Sequence, residues 1–529
     1  MAELHPVQIE IYRNLFTSIA EEMGTVLKRS AYSPNIKERR DYSCALFDGR
    51  GRVIAMGDHM PVHLGSMPLS VQAALEQLDF EPGDIVFLND PFAGGSHLPD
   101  ITLISPVFTG PDDQEPRFFT AARAHHSDVG GMSPGSMPLS ADVFQEGVRI
   151  PPVKLYEAGR LNRGILQFFL NNLRTPVERE GDLAAQVGAI RIGQKRLIEL
   201  VSKNGVDEVF AAIQELHAYA DRTMRRIIAA IPDGKYQAEE YLDDDGIDAS
   251  PGGRSVRIRV ALEIRGEEMK IDFRGSDPQV AGCLNAVYAI TVSAVYYVLK
   301  CLAPEEAPAS AGLMAAVQIT APPGSVVNAA FPAATAGGNV ETSQRIVDVL
   351  LRALSDALPD RIPAASSGTM NNLSIGGRHP ASGNPFTYYE TIGGGMGAGP
   401  RSHGDSGIHT HMTNSLNTPI EALEQSFPIR VREYRLRTQS GGRGKHRGGD
   451  GIVRSLEVMT DCHVTVLSER RKHAPYGLAG GGEGKKGLNS LLPAGGRRKR
   501  LRGKESMVLA KGDALVIETP GGGGWGKDR

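Results

Sequence analysis

Apolar residues recur every four positions near the start of the chain, at Ile11, Leu15, Ile19, Met23 and Leu27, with Tyr12 and Val26 widening the stripe. That spacing predicts an amphipathic helix over residues 7–32. After Pro34 the period falls to two, and the runs Tyr42–Phe47 and Val53–Met56 flank the turn Asp48-Gly49-Arg50-Gly51, which reads as a β-hairpin. A short helix near 68–80 ends at Pro82-Gly83, and strands are expected at 84–89, 101–108 and 117–126. Residues 165–230 read as helical, carried by Leu183, Val187, Ile190 and Leu197 and closed by Pro232-Asp233-Gly234. Alternation returns from 235 to about 330, as in Val256–Val260 and Met269–Phe273, with an apolar run at 286–303 between strands. A further helix is expected at 340–357, ahead of a glycine-dense stretch at 366–411 and a last hundred residues rich in short strands.

These elements predict an α+β, multi-domain chain of mixed α/β character, with antiparallel sheets, helical segments and a β-rich, Gly-rich C-terminal part. Cuts near 235 and 420 give an N-terminal α+β domain (1–235), a central α+β domain with a Gly/His-rich loop (236–420) and a β-rich C-terminal region (421–529). Composition changes this picture at one point: 62 of 529 residues are glycine, about 12% against a usual ~7%. A net charge of −3 provides no field to recruit nucleic acid or an anionic membrane, and the basic run Arg497–Arg502 lacks interleaved aromatics. The apolar run at 286–303 contains Thr291, Ser293 and Lys300, so it reads as a buried core helix and not as a membrane span. Four scattered cysteines without CxxC spacing, and an N-terminus with neither basic nor apolar signal region, lead us to expect a cytoplasmic protein.

Candidate chemistry concentrates in three histidine-bearing segments. Residues 89–100 (NDPFAGGSHLPD) and 124–131 (AHHSDVGG) each contain His-x-x-Asp, as His97 with Asp100 and His125 with Asp128. If strands 101–108 and 117–126 form an antiparallel hairpin with 108 opposite 117, paired residue numbers sum to 225 and Asp100 faces His125. Opposed side chains lie within about 5 Å at Cβ, and His97 returns over the same sheet end. Two imidazoles and a carboxylate converging there suit a divalent metal, Zn, Mn or Fe. His126 points to the opposite face of its strand from His125. In the second segment, His59 and His63 are separated by Pro61, which argues against a helical zinc pair and leaves a pocket wall in contact with substrate or structural histidines. The third follows Gly393–Gly399 and carries Arg401, His403, His409 and His411, where glycine lets backbone approach a ligand closely. No GxxxxGK[ST] phosphate loop and no G-x-S-x-G nucleophile elbow occurs.

The motifs at 89–108 (NDPFAGGSHLPDITLISPVF), 123–131 (RAHHSDVGG) and 61–71 (PVHLGSMPLSV) resemble those of the hydantoinase B/oxoprolinase family. So do GGGMGAG at 393–399, GIHTHMTNSLNTPIEALE at 407–424 and the terminal PGGGGWG at 520–526, so the resemblance runs along essentially the whole chain. It implies one subunit of an ATP-dependent cyclic-amide hydrolase of the hydantoinase, 5-oxoprolinase or lactam-hydrolase type. A hydantoinase A-type partner would bind ATP and phosphorylate the amide oxygen, and this chain would complete the ring opening at a metal. His97, Asp100 and His125 match the metal-binding His, Asp and later His of carboxylase relatives, which leaves Asp128 as a ligand or as a partner orienting His125. On this reading His126, His409 or His411 protonates the departing nitrogen, and His59, His63, Arg401 and His403 contact substrate. The alternatives are a subunit of an ATP-dependent ketone carboxylase and a non-catalytic scaffold for the ATP-binding subunit. A hetero-oligomer, with no nucleic-acid or membrane partner, is expected.

Overall fold

The computed structural model describes residues 5–57, 60–247 and 253–528. The N-terminal part is built on a seven-stranded antiparallel sheet in the order Val53–Met56, Tyr42–Asp48, Phe118–His125, Asp100–Val107, Ile85–Leu88, Val153–Glu157, Arg160–Leu161. Its two faces are covered by different helices. Ile101, Leu103, Phe118, Ala122 and Ala124 pack towards the helices Pro6–Ser30 and Pro176–Asn204. Ile104, Phe119 and Ala121 pack on the other side, against the helix Ser66–Gln77. With both faces covered, every residue of the two central strands is buried.

Two helical expectations need correction. In Pro6–Ser30 the buried line is Tyr12, Phe16, Ile19, Met23 and Leu27, whereas Ile11 and Leu15 face solvent. A step of four overshoots a full helical turn by about 40°, so a strict fourfold spacing drifts off the buried face. The segment 165–230 is three helices, Arg163–Leu170, Pro176–Asn204 and Val206–Ala229. The last two are separated by Gly205, whose φ of 85° lies outside the helical region.

The helix Tyr288–Leu302 packs against the helix Ser343–Ala357, which lies on a four-stranded sheet, Val317–Thr320, Glu268–Asp272, Val256–Arg265, Gly234–Leu242. The first of these helices also meets the 3-10 turn Pro61–His63 and the helix Ser66–Gln77. Contact there is close: a Cβ on Gly65 would lie 2.6 Å from the Ser293 backbone nitrogen. This docking brings the second core onto the sheet face that carries Asp100 and His125. Ser343–Ala357 is preceded by a π-helical turn, Gly338–Thr342. Buried charges at this junction are mutually paired, with Asp348 accepting from Arg345 at 2.9 Å and from Arg470 at 2.5 Å, and Lys504 bonded to Glu469. Two further antiparallel sheets complete the C-terminal part, one of them Pro385–Glu390, Asn372–Arg378, Cys462–Leu467, Lys504–Leu509. The α+β class read from the sequence therefore holds. No helix among the described residues is long and apolar enough to cross a membrane.

The glycine excess has a structural cause. Segments near 393–399, 441–449, 477–484 and 521–526 pack backbone to backbone outside any sheet. Successive amides of one segment point at different neighbours: Gly521 donates to Lys485, Gly522 to Gly449, Gly523 to Ala365 and Gly524 to Gly482. Residues three apart, Gly521 and Gly524, thus turn to the same neighbour, the threefold habit of a polyproline II strand. A Cβ on Gly395, Gly448 or Gly522 would lie 2.0 Å from a backbone oxygen of the adjoining segment.

Candidate active site

Backbone pairing sets the first two candidate ligands. The strands Asp100–Val107 and Phe118–His125 are paired with Asp100 opposite His125, the register expected from the hairpin arithmetic. His97 comes from the turn before Asp100, whose path is fixed by the left-handed Gly94 and by Asn89, which donates to the Leu98 carbonyl at 2.7 Å. His97 Nε2 lies 3.1 Å from Asp100 Oδ1, His125 Nδ1 lies 3.3 Å from the same oxygen, and the two ring nitrogens are 3.3 Å apart. Ser96 donates to Asp100 Oδ2 at 2.5 Å. All three residues are buried, and they form a group whose ligand atoms lie within 4.8 Å of one another. Bonds of about 2.1 Å to one cation place ligand atoms about 3.0–3.4 Å apart, so the three side chains fit a divalent metal.

The electrostatics favour an ionised Asp100. Burial opposes its charge, but the imidazoles of His97, His125 and His63 around it outweigh burial and hold the carboxyl well below its usual range. His97 is oriented from behind, since its Nδ1 meets the Ala336 carbonyl at 3.3 Å. The Ala336 peptide is held in turn by Glu146, which accepts from the Thr335 and Ala336 amides at 2.8 and 2.9 Å and from Ser140 at 2.7 Å. Outer contacts of this kind fix which ring nitrogen carries the lone pair.

Glu146 makes no ion pair among the described residues. Burial pushes its carboxyl up to about 7, against the opposing hydrogen bonds from Ala336, Ser140 and Thr335. Its titratable neighbours are His97 and the Cys283 thiol, itself pushed up to about 12 by burial. The unfolded chain releases the Glu146 proton near pH 4.5 and the folded chain only near 7, so this group's stabilisation is complete at low pH and fades as pH rises through that window. Glu146→Gln keeps the acceptor oxygen and removes the titration. The variant is expected to gain about 3 kcal/mol on wild type between pH 4.5 and pH 8, measured by denaturant unfolding at both ends. A difference that does not change with pH would sink this account.

Several neighbours come from distant parts of the chain. Tyr389 stacks on His125 at a centroid distance of 4.5 Å, with Arg39 5.1 Å above the Tyr389 ring. Arg39 is fully buried, and it ties the segments around Thr391 and Ser415 to the N-terminal sheet. The π turn contributes Asn339, whose side-chain nitrogen is 3.0 Å from His97 Nε2. It also contributes Glu341, whose carboxyl oxygen accepts from Asn372 at 2.7 Å, and Asn372 accepts from the Tyr389 hydroxyl at 2.8 Å. A sequence signal for this turn exists in the polar run Gly-Asn-Val-Glu-Thr at 338–342, set ahead of an amphipathic helix.

The other candidates separate into groups. His63 joins the cluster: its Nε2 is 3.5 Å from Asp100 Oδ2 and its Nδ1 is 2.8 Å from Ser43 Oγ, while burial lowers its pKa. His59 lies outside the described residues. Asp128 is drawn away by Arg174, which donates to it from backbone at 2.6 Å and side chain at 2.8 Å, so Asp128 neither joins the metal group nor orients His125. His126 bonds Gln186 at 2.9 Å on the face covered by the helix Pro176–Asn204, and burial pushes its pKa down to about 4. The opposite direction of its side chain follows from strand alternation, and a catalytic contact with the cluster does not form. His409, pushed down to about 4 by burial and then by the Arg39 charge, and His411, lowered by burial, are neutral near pH 7. His411 Nδ1 is 3.2 Å from the Tyr297 hydroxyl. Arg401 and His403 are exposed, and His403 accepts from the Arg447 amide at 2.8 Å, away from the cluster.

The family model for hydantoinase B/oxoprolinase matches residues 5–528. The chain belongs to that family. Similar hydantoinase B/oxoprolinase relatives include 5-oxoprolinase 1 of Arabidopsis thaliana, 39% identical over 99% of this chain and 42% of its own length. The 5-oxoprolinase of Dictyostelium discoideum is 36% identical over 99% of this chain and 40% of its own. Among solved structures, the ATP-dependent caprolactamase of Pseudomonas jessenii superposes with a TM-score of 0.90 at 30% identity, covering 99% of this chain and 92% of that one. The hydantoinase B/oxoprolinase chain thus spans less than half the length of the two 5-oxoprolinases it matches.

Proposed function

We propose that this chain is the metal-holding subunit of an ATP-dependent hydrolase that opens a cyclic amide, a hydantoin, 5-oxoproline or a lactam, after an A-type partner has phosphorylated the amide oxygen. The observation that carries this reading is the buried His97–Asp100–His125 group in a chain of this family. Two further facts support it: the sequence contains no phosphate loop, and the chain matches only 42% of a relative named a 5-oxoprolinase. A divalent cation held by the three side chains would supply a Lewis acid able to activate water at neutral pH.

The protein's own residues do the remaining work. Asp100 and the two imidazoles fix the centre, and Ala336 with Glu146 fixes the His97 tautomer. Tyr389 covers His125 with an apolar face and donates its hydroxyl proton to Asn372, which adjoins Glu341. Glu341 is buried and pushed up to about 8 by burial and then by Glu469, so it holds its proton at neutral pH. His409 and His411 are neutral at that pH and so hold no imidazolium proton to supply.

The deciding experiment purifies the chain with its ATP-binding partner and follows ADP release with hydantoins, 5-oxoproline, lactams and ketones, with and without bicarbonate. Ring-opened product with ADP release, independent of bicarbonate, is expected. A bicarbonate requirement would assign the complex to carboxylation instead, and a complex that turns over fully without bound metal would leave the chain as a scaffold.

A further inference from the structure

We propose that Asn339 is a fourth ligand of the cation, through its side-chain oxygen, an inference that rests on the metal-site reading above. His97 turns its Nδ1 to the Ala336 carbonyl, which makes that nitrogen the N–H donor and leaves the lone pair on Nε2. The lone pair faces Asp100 Oδ1, His125 Nδ1 and the Asn339 side-chain nitrogen, at 3.1, 3.3 and 3.0 Å. One lone pair cannot serve both an amide N–H and a cation. Once a cation takes it, the Asn339 N–H loses its acceptor in a buried place, where an unpaired donor is costly.

A half-turn of the amide presents an oxygen to the cation instead. The amide oxygen and nitrogen are nearly isosteric, so the turn sets Oδ1 about where the nitrogen stands, at a separation from His97 Nε2 that suits two neighbouring ligands of one cation. In its present position that oxygen is buried and has no hydrogen-bond partner among the described residues. Asn339 itself is 3% exposed.

The backbone is built to hold this residue in place. The π turn Gly338–Thr342 widens the start of the helix, a device that recurs at functional sites. A Cβ on Gly338 would lie 1.9 Å from the Asn285 carbonyl oxygen, so only glycine allows the turn to sit this deep. The Gly338 amide is anchored on Cys283 O at 3.0 Å, and the Asn339 carbonyl accepts from Ser343 Oγ at 2.6 Å. Two imidazoles, a carboxylate and an amide oxygen form a harder donor set than the three residues alone, and this shifts the preference from Zn towards Mn or Fe.

The test strips the full-length protein of metal with a chelator and titrates it with Mn²⁺ and with Zn²⁺ by calorimetry, with circular dichroism to show that each variant is folded. Asn339→Ala is expected to weaken Mn²⁺ binding at least ten- to a hundredfold. Asn339→Asp is the discriminating variant, because aspartate offers oxygen and no N–H. It should bind Mn²⁺ at least as tightly as wild type if position 339 ligates through oxygen, and no better than Asn339→Ala if the role is only to donate to His97. Weak binding by Asn339→Asp, or wild-type binding by Asn339→Ala, overturns the proposal. His97→Ala and Asp100→Ala keep the two levels distinct: if they abolish binding while the Asn339 variants behave as wild type, the metal site stands without a fourth ligand at 339. Undiminished binding in His97→Ala and Asp100→Ala would remove the site itself.

Discussion

Asp100→Asn protein is expected to purify folded, with less than about a tenth of the wild-type divalent metal, and to lose ATP-coupled ring opening by about three orders of magnitude or more. Asparagine keeps the shape and one acceptor oxygen, so the pairing of strand ends at Asp100 and His125, which uses backbone groups, should persist. What disappears is the one carboxylate that, among the described residues, pairs with His63, His97 and His125 together. Without it the group offers two neutral nitrogens and a weak amide oxygen, too little to hold a divalent cation against water. Asp128→Asn provides the contrast. It leaves Arg174 without its carboxylate partner and should cost stability while metal content stays near wild type. Elemental analysis of both proteins, with thermal midpoints, separates the two roles. Full metal in Asp100→Asn, or metal lost equally from both variants, would contradict the assignment.

The part of the site that local pattern reveals is the part built by adjacent strands. Asp100 opposite His125 follows from a short loop and a twofold period, because register in an antiparallel hairpin is a local property. His126 on the far face follows from the same alternation. His63 is harder to place, because Pro61 excludes a regular helix, and only the docking of Tyr288–Leu302 against the 3-10 turn brings its ring to Asp100. Asn339 and Tyr389 lie more than two hundred residues beyond His97 and His125, and their contacts depend on how separate cores pack. Asp128 shows the opposite failure: its spacing from His125 copies that of His97 and Asp100, yet the chain leaves the strand after His125 and Arg174 captures the carboxylate. A repeated motif does not repeat its geometry once the backbone beneath it changes.

Gly522→Ala carries the second large effect, expected on stability and on the histidine loop together. Its φ is not in the left-handed region, so the backbone conformation is open to alanine and the demand for glycine comes from neighbours alone. The added methyl would meet Met396 O at 2.0 Å, Met396 C at 2.3 Å and Gly397 N at 2.7 Å, all backbone atoms that cannot rotate away. Relief requires segments 393–399 and 521–526 to separate, which breaks bonds such as Gly395 to Pro520 and Ala398 to Gly523, at 3.0 and 2.9 Å. As at the crowded axis of collagen, one methyl is enough to disrupt such packing, and a loss above about 4 kcal/mol is expected. The disturbance should reach the histidine loop, because Gly394 and Ile408 exchange hydrogen bonds at 2.9 Å and His409 and His411 follow shortly after. Hydrogen exchange should accelerate across 393–411 and 441–449 while the seven-stranded sheet stays protected. Gly110→Ala, where a Cβ meets nothing within 4 Å, serves as the control and should leave exchange unchanged. Equal behaviour of the two variants would mean that the close-packed glycine segments are not what holds this part of the chain together.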